Sequence, residues 1–223
     1  MKKIKKIIST FMILSIIGCL SISNSLVNAY ANEEDDINYG ATSNGETVIE
    51  DGEYTTVIGV PTTEVKGLTG EEAVEVLQAQ AVNSRLNIGV SNAVTFNVRY
   101  EYPVTKTYPI SVSKGGKKVF SGNIKIKLTV SASSDKNKSI KSTISISNFT
   151  KGTGYTVSKS TSSGSYVSSV GSNTRSSLTC NVVPVGGKKQ VFKYYCNNKI
   201  LSGLNSNTQI GPGFRMQQYW TMG

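Results

Sequence analysis

The sequence predicts a mainly β protein, an antiparallel β-sandwich or β-roll with one short N-terminal α-helix. From Val94 onward, apolar and polar residues alternate in several runs, which is the period of half-buried strands. Glycine pairs at 115–116 and 186–187 separate such runs and are typical of tight turns. A helical period of 3.6 residues is clearest at about 70–83. Strands joined by tight turns favour antiparallel sheets packed face to face.

The first 31 residues have the pattern of a removable signal peptide. Lysines at positions 2, 3, 5 and 6 precede an apolar run at residues 7–20, which is short for a membrane span. Ala29 and Ala31 match a peptidase site, so we expect cleavage after Ala31. The segment ending at Cys19 resembles the lipobox of bacterial lipoproteins, so lipidation at Cys19 and a retained anchor are alternatives. The protein is therefore expected to be secreted or associated with the cell surface.

The charges divide the chain into two parts. The net charge is +10, yet residues 32–101 hold 13 acidic and three basic side chains. Residues 102–223 hold 17 lysines and arginines against one acid, Asp135. A region of one sign attracts the opposite charge. Three interpretations stay open: the acidic part neutralises the basic part, the basic part binds an anionic partner, or the acidic part is a masking pro-segment.

This division predicts four regions. After the signal peptide at 1–31 comes an acidic mobile leader at 32–46, which is poor in large apolar residues. An acidic subdomain at 47–91 follows, with a short hairpin at its start and the helix at about 70–83. Thr69 and Glu72 have the spacing of a capping box for that helix. Residues 92–223 are predicted to form a basic antiparallel β-domain.

The first strands of this β-domain are predicted from alternation and turns. Residues 94–102 alternate between apolar and polar side chains. Pro103 and Pro109 bracket a short strand that we expect at a sheet edge, because proline cannot donate to a strand ladder. The turn at 114–117 leads into a strand with inward Ile124 to Val130 and outward lysines.

The later strands are less regular. Residues 140–146 fit a strand whose apolar spacing breaks once, and 152–177, rich in Ser, Thr and Gly, fit two thin strands. Residues 178–183 and 191–196 are predicted to form a hairpin. Its two cysteines, Cys180 and Cys196, are predicted to form a disulfide, since exported chains usually oxidise such pairs. Residues 197–223 are expected to be irregular, with Phe214, Tyr219 and Trp220 packing back onto the sheet.

The composition excludes several chemistries. The chain contains no histidine, which removes Ser-His-Asp catalysis, His-ligated zinc and His-based pH switching. No cofactor motif, metal-ligand spacing or specific catalytic motif is present, so the prediction is no cofactor, no metal and no assigned catalytic residue. Glu101 and Asp135 are the only acids of the β-domain and the only carboxylate pair there for a His-independent hydrolase.

The leading hypothesis is a secreted, non-enzymatic β-domain that associates with anionic cell-envelope or host surfaces. Its partner would be teichoic acid, an anionic lipid or an acidic glycan. Nucleic acid is the weakest candidate because the cations are scattered lysines without interleaved aromatics. The alternatives are a His-independent extracellular hydrolase and a pore-forming or membrane-active protein that uses the Ser/Thr-rich segment 158–179. No transmembrane helix is expected after the signal peptide. The predicted contact residues are Lys117, Lys118, Lys125, Lys127, Lys136, Lys138, Lys141, Lys188 and Lys189.

Overall fold

In a computed structural model, the chain forms two antiparallel sheets arranged as a sandwich. The structure describes residues 37–41, 46–68, 71–73, 76, 93–207 and 210–223. The strands in this part of the chain are Ile37–Ala41 (β1), Thr47–Asp51 (β2), Tyr54–Ile58 (β3), Thr62–Val65 (β4), Val94–Arg99 (β5), Val104–Lys114 (β6), Lys117–Ala132 (β7), Lys138–Lys151 (β8), Tyr155–Ser162 (β9), Asn173–Pro184 (β10), Gln190–Leu204 (β11) and Gly213–Met222 (β12).

Sheet A holds seven strands and sheet B holds five. Sheet A runs β1-β2-β3-β6-β7-β8, with β4 also paired to β6, and sheet B runs β5-β12-β11-β10-β9. The predicted mainly β fold is confirmed, and so is the predicted hairpin at the start of the acidic part, which is β2 and β3. Because β3 and β4 pair with β6, strands from the acidic and the basic parts share one sheet.

The longest strand, β7, illustrates why these residues form a sandwich. Ile124, Ile126 and Leu128 point into the core and are fully buried, whereas Lys125 and Lys127 point to solvent. Alternation with a period of two puts the first set on one face of the strand and the second on the other. Burial of each large aliphatic side chain stabilises the fold by about 1.5–3 kcal/mol. The predicted strand over this region is confirmed.

Strand β6 differs from its predicted place. We expected a short edge strand bracketed by prolines, but β6 has 11 residues and lies between β7 and the β3/β4 pair. Pro109 is tolerated because β3 ends at Ile58 and β4 begins at Thr62, so Pro109 faces the link between them. At this point the Gly59 N–H donates to the Pro109 carbonyl (2.8 Å), and no N–H from residue 109 is needed.

The prediction of an irregular C-terminal segment is wrong. Strand β11 extends to Leu204, and β12 lies between β5 and β11 inside sheet B. Phe214 and Met216 point into the core, but Gln218 takes the next inward position and is 1% exposed. A glutamine at a core position interrupts the apolar alternation by which strands are detected in a sequence.

Only part of the predicted helix can be compared with the structure. Glu71–Ala73 and Val76 are helical, and the Val76 side chain is buried. The other positions of the predicted helix, the signal peptide with Cys19, and most of the predicted leader lie outside the described residues. Within the described part of the chain, no helix has the length and hydropathy to cross a membrane. Residues 37–223 cluster into one compact unit.

A line of hydrogen-bonded side chains crosses the core between the sheets, and we name it the polar seam: Tyr108, Gln218, Asn198, Ser142 and Ser176. The Tyr108 hydroxyl donates to Gln218 Oε1, and Gln218 Nε2 donates to Asn198 Oδ1 (2.6 Å). Asn198 Nδ2 donates to Ser142 Oγ (3.2 Å), which also accepts from Ser176 Oγ (2.7 Å). Hydrogen bonding removes most of the cost of burying these polar groups and ties sheet A to sheet B.

The free edge of β8 is covered by the loop between β9 and β10. The Gly164 N–H donates to the Ser142 carbonyl (2.8 Å), and Val167 and Ile140 exchange two backbone hydrogen bonds (2.9 and 3.1 Å). An uncovered strand edge offers unpaired backbone groups to other chains. This loop therefore protects one edge of sheet A.

Candidate functional site

Three turns that carry lysines meet at one end of the sandwich, those after β6, β8 and β10, and the acidic β2–β3 turn lies beside them. The Gly152 N–H donates to the Val119 carbonyl (2.8 Å), and the Val185 N–H donates to the Gly154 carbonyl (2.9 Å). These two bonds connect the β8–β9 turn to the start of β7 and to the β10–β11 turn. We name this end the basic tip, after the exposed lysines that these turns carry: Lys117, Lys118, Lys151, Lys188 and Lys189.

Glycines determine the close approach of these turns. Gly115 and Gly116 both have positive φ (53° and 76°), which a two-residue hairpin turn requires. At Gly152, an added Cβ would lie 1.8 Å from the Lys118 carbonyl oxygen. The backbone of the β8–β9 turn therefore touches the start of β7 there, and only glycine fits. Lys117 directly follows Gly116 and Lys151 directly precedes Gly152, so the turn geometry brings these lysines to one end.

The charge of the basic tip is largely uncompensated. Lys114, at the end of β6, forms an ion pair with Glu53 (Nζ–Oε2 2.7 Å). Hydrogen bonding to Lys114 lowers the pKa of Glu53, and the same bond raises the pKa of Lys114. Within the described ranges, none of the five tip lysines has a carboxylate within ion-pair distance. Together with Lys114 they outnumber Asp51 and Glu53 of the β2–β3 turn, so the described part of this end keeps a net positive charge.

Exposed valines lie in the β10–β11 hairpin beside these lysines. Val185 is 85% exposed, Val191 52% and Val183 38%. Val191 pairs with Asn181, so Val183 stands diagonally across from Val191 on the outer face of sheet B. The exposure of these valines was not predicted, because valines in a predicted hairpin are first assigned to the core.

The nine predicted lysines do not form one surface. Lys117, Lys118, Lys188 and Lys189 belong to the basic tip. Lys151 also belongs to the basic tip but was not among the predicted contact residues. Its position directly before a turn glycine could have indicated that it lies at this end. Three others, Lys125, Lys127 and Lys141, share the outer face of sheet A, where they stand opposite serine and threonine side chains.

The remaining two predicted lysines lie at the opposite end of the sandwich. Lys136 is in the β7–β8 turn and is exposed. Lys138 Nζ donates to the Leu204 carbonyl (3.0 Å), so Lys138 helps to hold the end of β11. These two lysines are separated from the basic tip by nearly the whole length of β7 and β8.

Of the two carboxylates considered for hydrolysis, Glu101 is exposed and has a φ of 71°, and Asp135 is held by hydrogen bonds to a neighbouring loop. Asp135 Oδ1 accepts hydrogen bonds from the Ser206 N–H (2.8 Å) and the Ser206 hydroxyl (2.5 Å). These bonds, with the charges of Lys138 and Arg99, lower the pKa of Asp135. A carboxyl held in its ionised form is unsuited to act as a general acid. Asp135 instead anchors the β11–β12 loop.

The predicted disulfide is absent from this structure. Cys180 and Cys196 are free and buried thiols. Cys180 pairs with Phe192 across the hairpin, and Cys196 pairs with Ser176. The two cysteines therefore stand four residues apart along the ladder, about 13 Å at the usual rise per residue. A disulfide needs Cα atoms within about 7 Å.

Burial raises the pKa of Cys180 to about 12 and raises that of Cys196 further, so both are poor nucleophiles.

A buried lysine is a second feature that the sequence analysis missed. Lys106 occupies an inward position of β6 and is 4% exposed. Its Nζ donates to Thr63 Oγ1 (3.1 Å) and lies 4.3 Å from the centre of the Phe96 ring. Burial lowers the pKa of Lys106 to about 8. The burial of Lys106 was predictable from its position between Val104 and Tyr108, because these alternate residues of the strand face the core.

A shallow groove of about 340 Å³ lies on the outer face of sheet A. Its polar side chains include Glu46, Asn123 and Asn148, and Gly59 and Gly122 form part of its lining. Asn148 has a φ of 49° and lies in a bulge opposite Gly122, where β7 and β8 shift register. These groups can hydrogen-bond a small polar molecule, but the groove holds none of the predicted contact residues.

The fold and the site together define a two-sheet sandwich with a basic end built from turns. No protein-family model matches the sequence, and comparisons with curated proteins and with solved structures also found no match.

Proposed function

We propose that this is a secreted, non-enzymatic β-sandwich protein that associates with anionic surfaces of the cell envelope or of a host through its basic tip. The observation that carries the proposal is the convergence of five exposed lysines on three turns linked by backbone hydrogen bonds. These lysines come from three distant parts of the chain. Their assembly at one end gives the molecule a charged face that can meet an extended surface.

The magnitude of the charge is sufficient for measurable binding. A lysine near an anionic surface contributes about 1 kcal/mol at moderate ionic strength. Five such contributions, if they add, strengthen binding by a factor on the order of 10³. The ammonium groups sit on flexible stems, which suits a surface whose anionic groups are not fixed in one geometry. Salt screens these exposed charges, so the association is expected to weaken steeply as ionic strength rises.

The acidic part of the chain bears on the two other interpretations of the charge division. Glu53 pairs with Lys114 at the edge of the basic tip, which supports local neutralisation of that one lysine. Strands β3 and β4 supply the partners of β6. Removal of residues 32–91 as a pro-segment would strip these strands from sheet A, which weighs against that interpretation.

The secreted location rests on the signal-peptide pattern of residues 1–31, with cleavage after about Ala31. The two alternative functions have weaker support. The hydrolase would need a proton donor, and Asp135 is held ionised by Ser206. The pore-forming protein would need alternation over about 9–11 residues to span a bilayer, whereas the Ser/Thr-rich segment holds the end of β9, a loop and the start of β10, and both strands are paired in sheet B.

The test measures binding of the purified protein to isolated Gram-positive cell walls, with and without teichoic acid, across a salt titration. Glutamine replaces all five tip lysines in one variant. The matched control also replaces five lysines by glutamine, all outside the tip: Lys125, Lys127, Lys136, Lys141 and Lys199. We expect the tip variant to lose at least 100-fold in affinity and the control to lose less than tenfold. Equal loss in both variants, or binding unaffected by salt, would overturn the proposal.

A further inference from the structure

The β10–β11 hairpin places apolar side chains where turns usually carry polar ones. Val185 begins the turn and is 85% exposed, and Val183 and Val191 flank it on the outer face of sheet B. Single exposed valines are common on protein surfaces, but here three lie at the end of one hairpin, and we call them the apolar patch. Its position at the basic tip links the patch to the surface that the lysines would meet.

Lysines surround this patch on two sides. Lys188 and Lys189 lie in the same turn as Val185. Lys151 lies just before the β8–β9 turn, which is hydrogen-bonded to Val185 through Gly154. An apolar centre with a cationic margin complements a bilayer, which is anionic at its surface and apolar beneath it. A polyanion such as teichoic acid would use the lysines but would leave the valines in water.

The dimensions of the hairpin fit shallow insertion. Val183 lies two residues before Val185, about 7 Å along the strand at the usual rise per residue. Side chains at the membrane interface are buried to about 5–10 Å. With Val185 at that depth, Val183 lies near the headgroup boundary, and Val191, level with Asn181 and about 13 Å from Val185 along the strand, lies at the outer edge of the headgroups. The long stems of the lysines let their ammonium groups remain among the phosphates.

The hairpin does not need to refold to make this contact, because backbone hydrogen bonds already fix its turn. The Gly187 N–H donates to the Pro184 carbonyl (3.0 Å), and the Val185 N–H is bonded to Gly154. The turn is thus fixed in place, and little conformational entropy is lost on binding.

We infer that the anionic surface bound by the basic tip is a lipid bilayer, into which the β10–β11 hairpin inserts Val185. This inference rests on the proposed function and names its partner, since the lysines alone do not distinguish a phospholipid surface from an anionic polymer. Binding then has two parts: the lysines bring the tip to the surface, and the valines hold it there.

Insertion is tested with a Val185→Trp variant. Trp220 is the single natural tryptophan and is 5% exposed, so it gives a constant background. With vesicles of phosphatidylglycerol and phosphatidylcholine, we expect a blue shift of the new emission and quenching by brominated acyl chains. An unshifted, unquenched emission from protein that co-sediments with the vesicles would overturn the inference and leave the proposed function intact.

A second variant, with Val185→Ser and Val191→Ser, tests the valines without adding an aromatic ring. We expect about tenfold weaker binding to anionic vesicles and unchanged binding to soluble teichoic acid. The matched control is Val60→Ser with Val170→Ser, since both valines are exposed (54% and 64%) and lie away from the basic tip. Equal losses in the two variants would count against the inference.

The two proposals fail in different ways. Binding to cell walls that requires teichoic acid, without binding to anionic vesicles, overturns the lipid inference alone. Absence of binding to both walls and vesicles at low salt overturns the proposed function together with the inference. Binding to anionic but not to neutral vesicles, reduced in both the lysine and the valine variants, supports both.

Discussion

Lys106 is a charged side chain at an inward position of β6, where its neighbours on the same face are apolar. It gains a hydrogen bond from Nζ to Thr63 and a cation–π contact with Phe96. Burial nevertheless lowers the pKa of Lys106 to about 8. The folded protein therefore binds this proton less tightly than the unfolded chain does, and a protonated Lys106 costs stability.

We predict that Lys106→Met stabilises the protein at pH 7 by about 2–3 kcal/mol. Below pH 8 both states carry the proton, so the cost is fully present. Between pH 8 and 10.5 the unfolded chain binds more protons, so the free energy of unfolding of the natural protein rises with pH. Urea denaturation at pH 7, 8, 9 and 10 should give a difference between variant and natural protein that shrinks toward pH 10. Lys125→Met is the exposed control, and a pH-independent difference would contradict the prediction.

Polar residues at core positions are also where prediction from the sequence was weakest. The break between Ile140 and Ile144 is filled by Ser142, which is fully buried in the polar seam. Gln218 interrupts β12 in the same way, and the strand was overlooked. A sequence does not reveal the partner that satisfies a buried polar side chain, because that partner comes from another strand.

At the scale of strands and turns, elements defined by local chemistry were predictable. The glycine turns after β6 and β10, the β2–β3 hairpin and the inward face of β7 follow from neighbouring residues alone. The position of β6 inside sheet A could not be predicted from neighbouring residues, since Pro109 is accommodated by a gap between β3 and β4. Strand order depends on pairings between residues far apart in the chain, which periodicity does not record.

The pairing of β6 predicts what removal of residues 32–91 would do. The deletion would expose the backbone edge of β6 and the core groups covered by Ile49, Tyr54 and Ile58, which are buried in β2 and β3. We expect this shortened chain to aggregate, as judged by size-exclusion chromatography. Removal of residues 1–36 alone is the control and should leave a soluble protein, because residues 37–223 cluster as one unit. A soluble, folded product of the longer deletion would support the pro-segment interpretation.

At the scale of the whole molecule, the polar seam and the basic tip both arise from residues that the fold gathers from distant strands. The seam connects β6 and β8 of sheet A with β10, β11 and β12 of sheet B. The tip gathers five lysines from three turns. Individual tip lysines were predictable as cations, but their grouping was not, because it depends on how the two sheets pack.

We predict that Gln218→Leu lowers the free energy of unfolding by about 2–4 kcal/mol, because it leaves Tyr108 Oη and Asn198 Oδ1 buried without their partner. Urea denaturation monitored by Trp220 fluorescence would measure the loss. Gln190→Leu, at an exposed position of β11, is the control and should change stability by less than about 0.5 kcal/mol. A loss as small as that of the control would mean that the seam does not hold the sheets together.

The pairing of β5 with β12 has a consequence for the order of events during synthesis. Val94–Arg99 forms its ladder with residues 213–218, so β5 has no sheet partner until the last strand has left the ribosome. Contacts this distant along the chain also form slowly. Sheet B therefore cannot be completed on a growing chain until β12 has emerged. Under the secretion that we propose, this delay would keep β5 outside the sandwich until the chain has crossed the membrane.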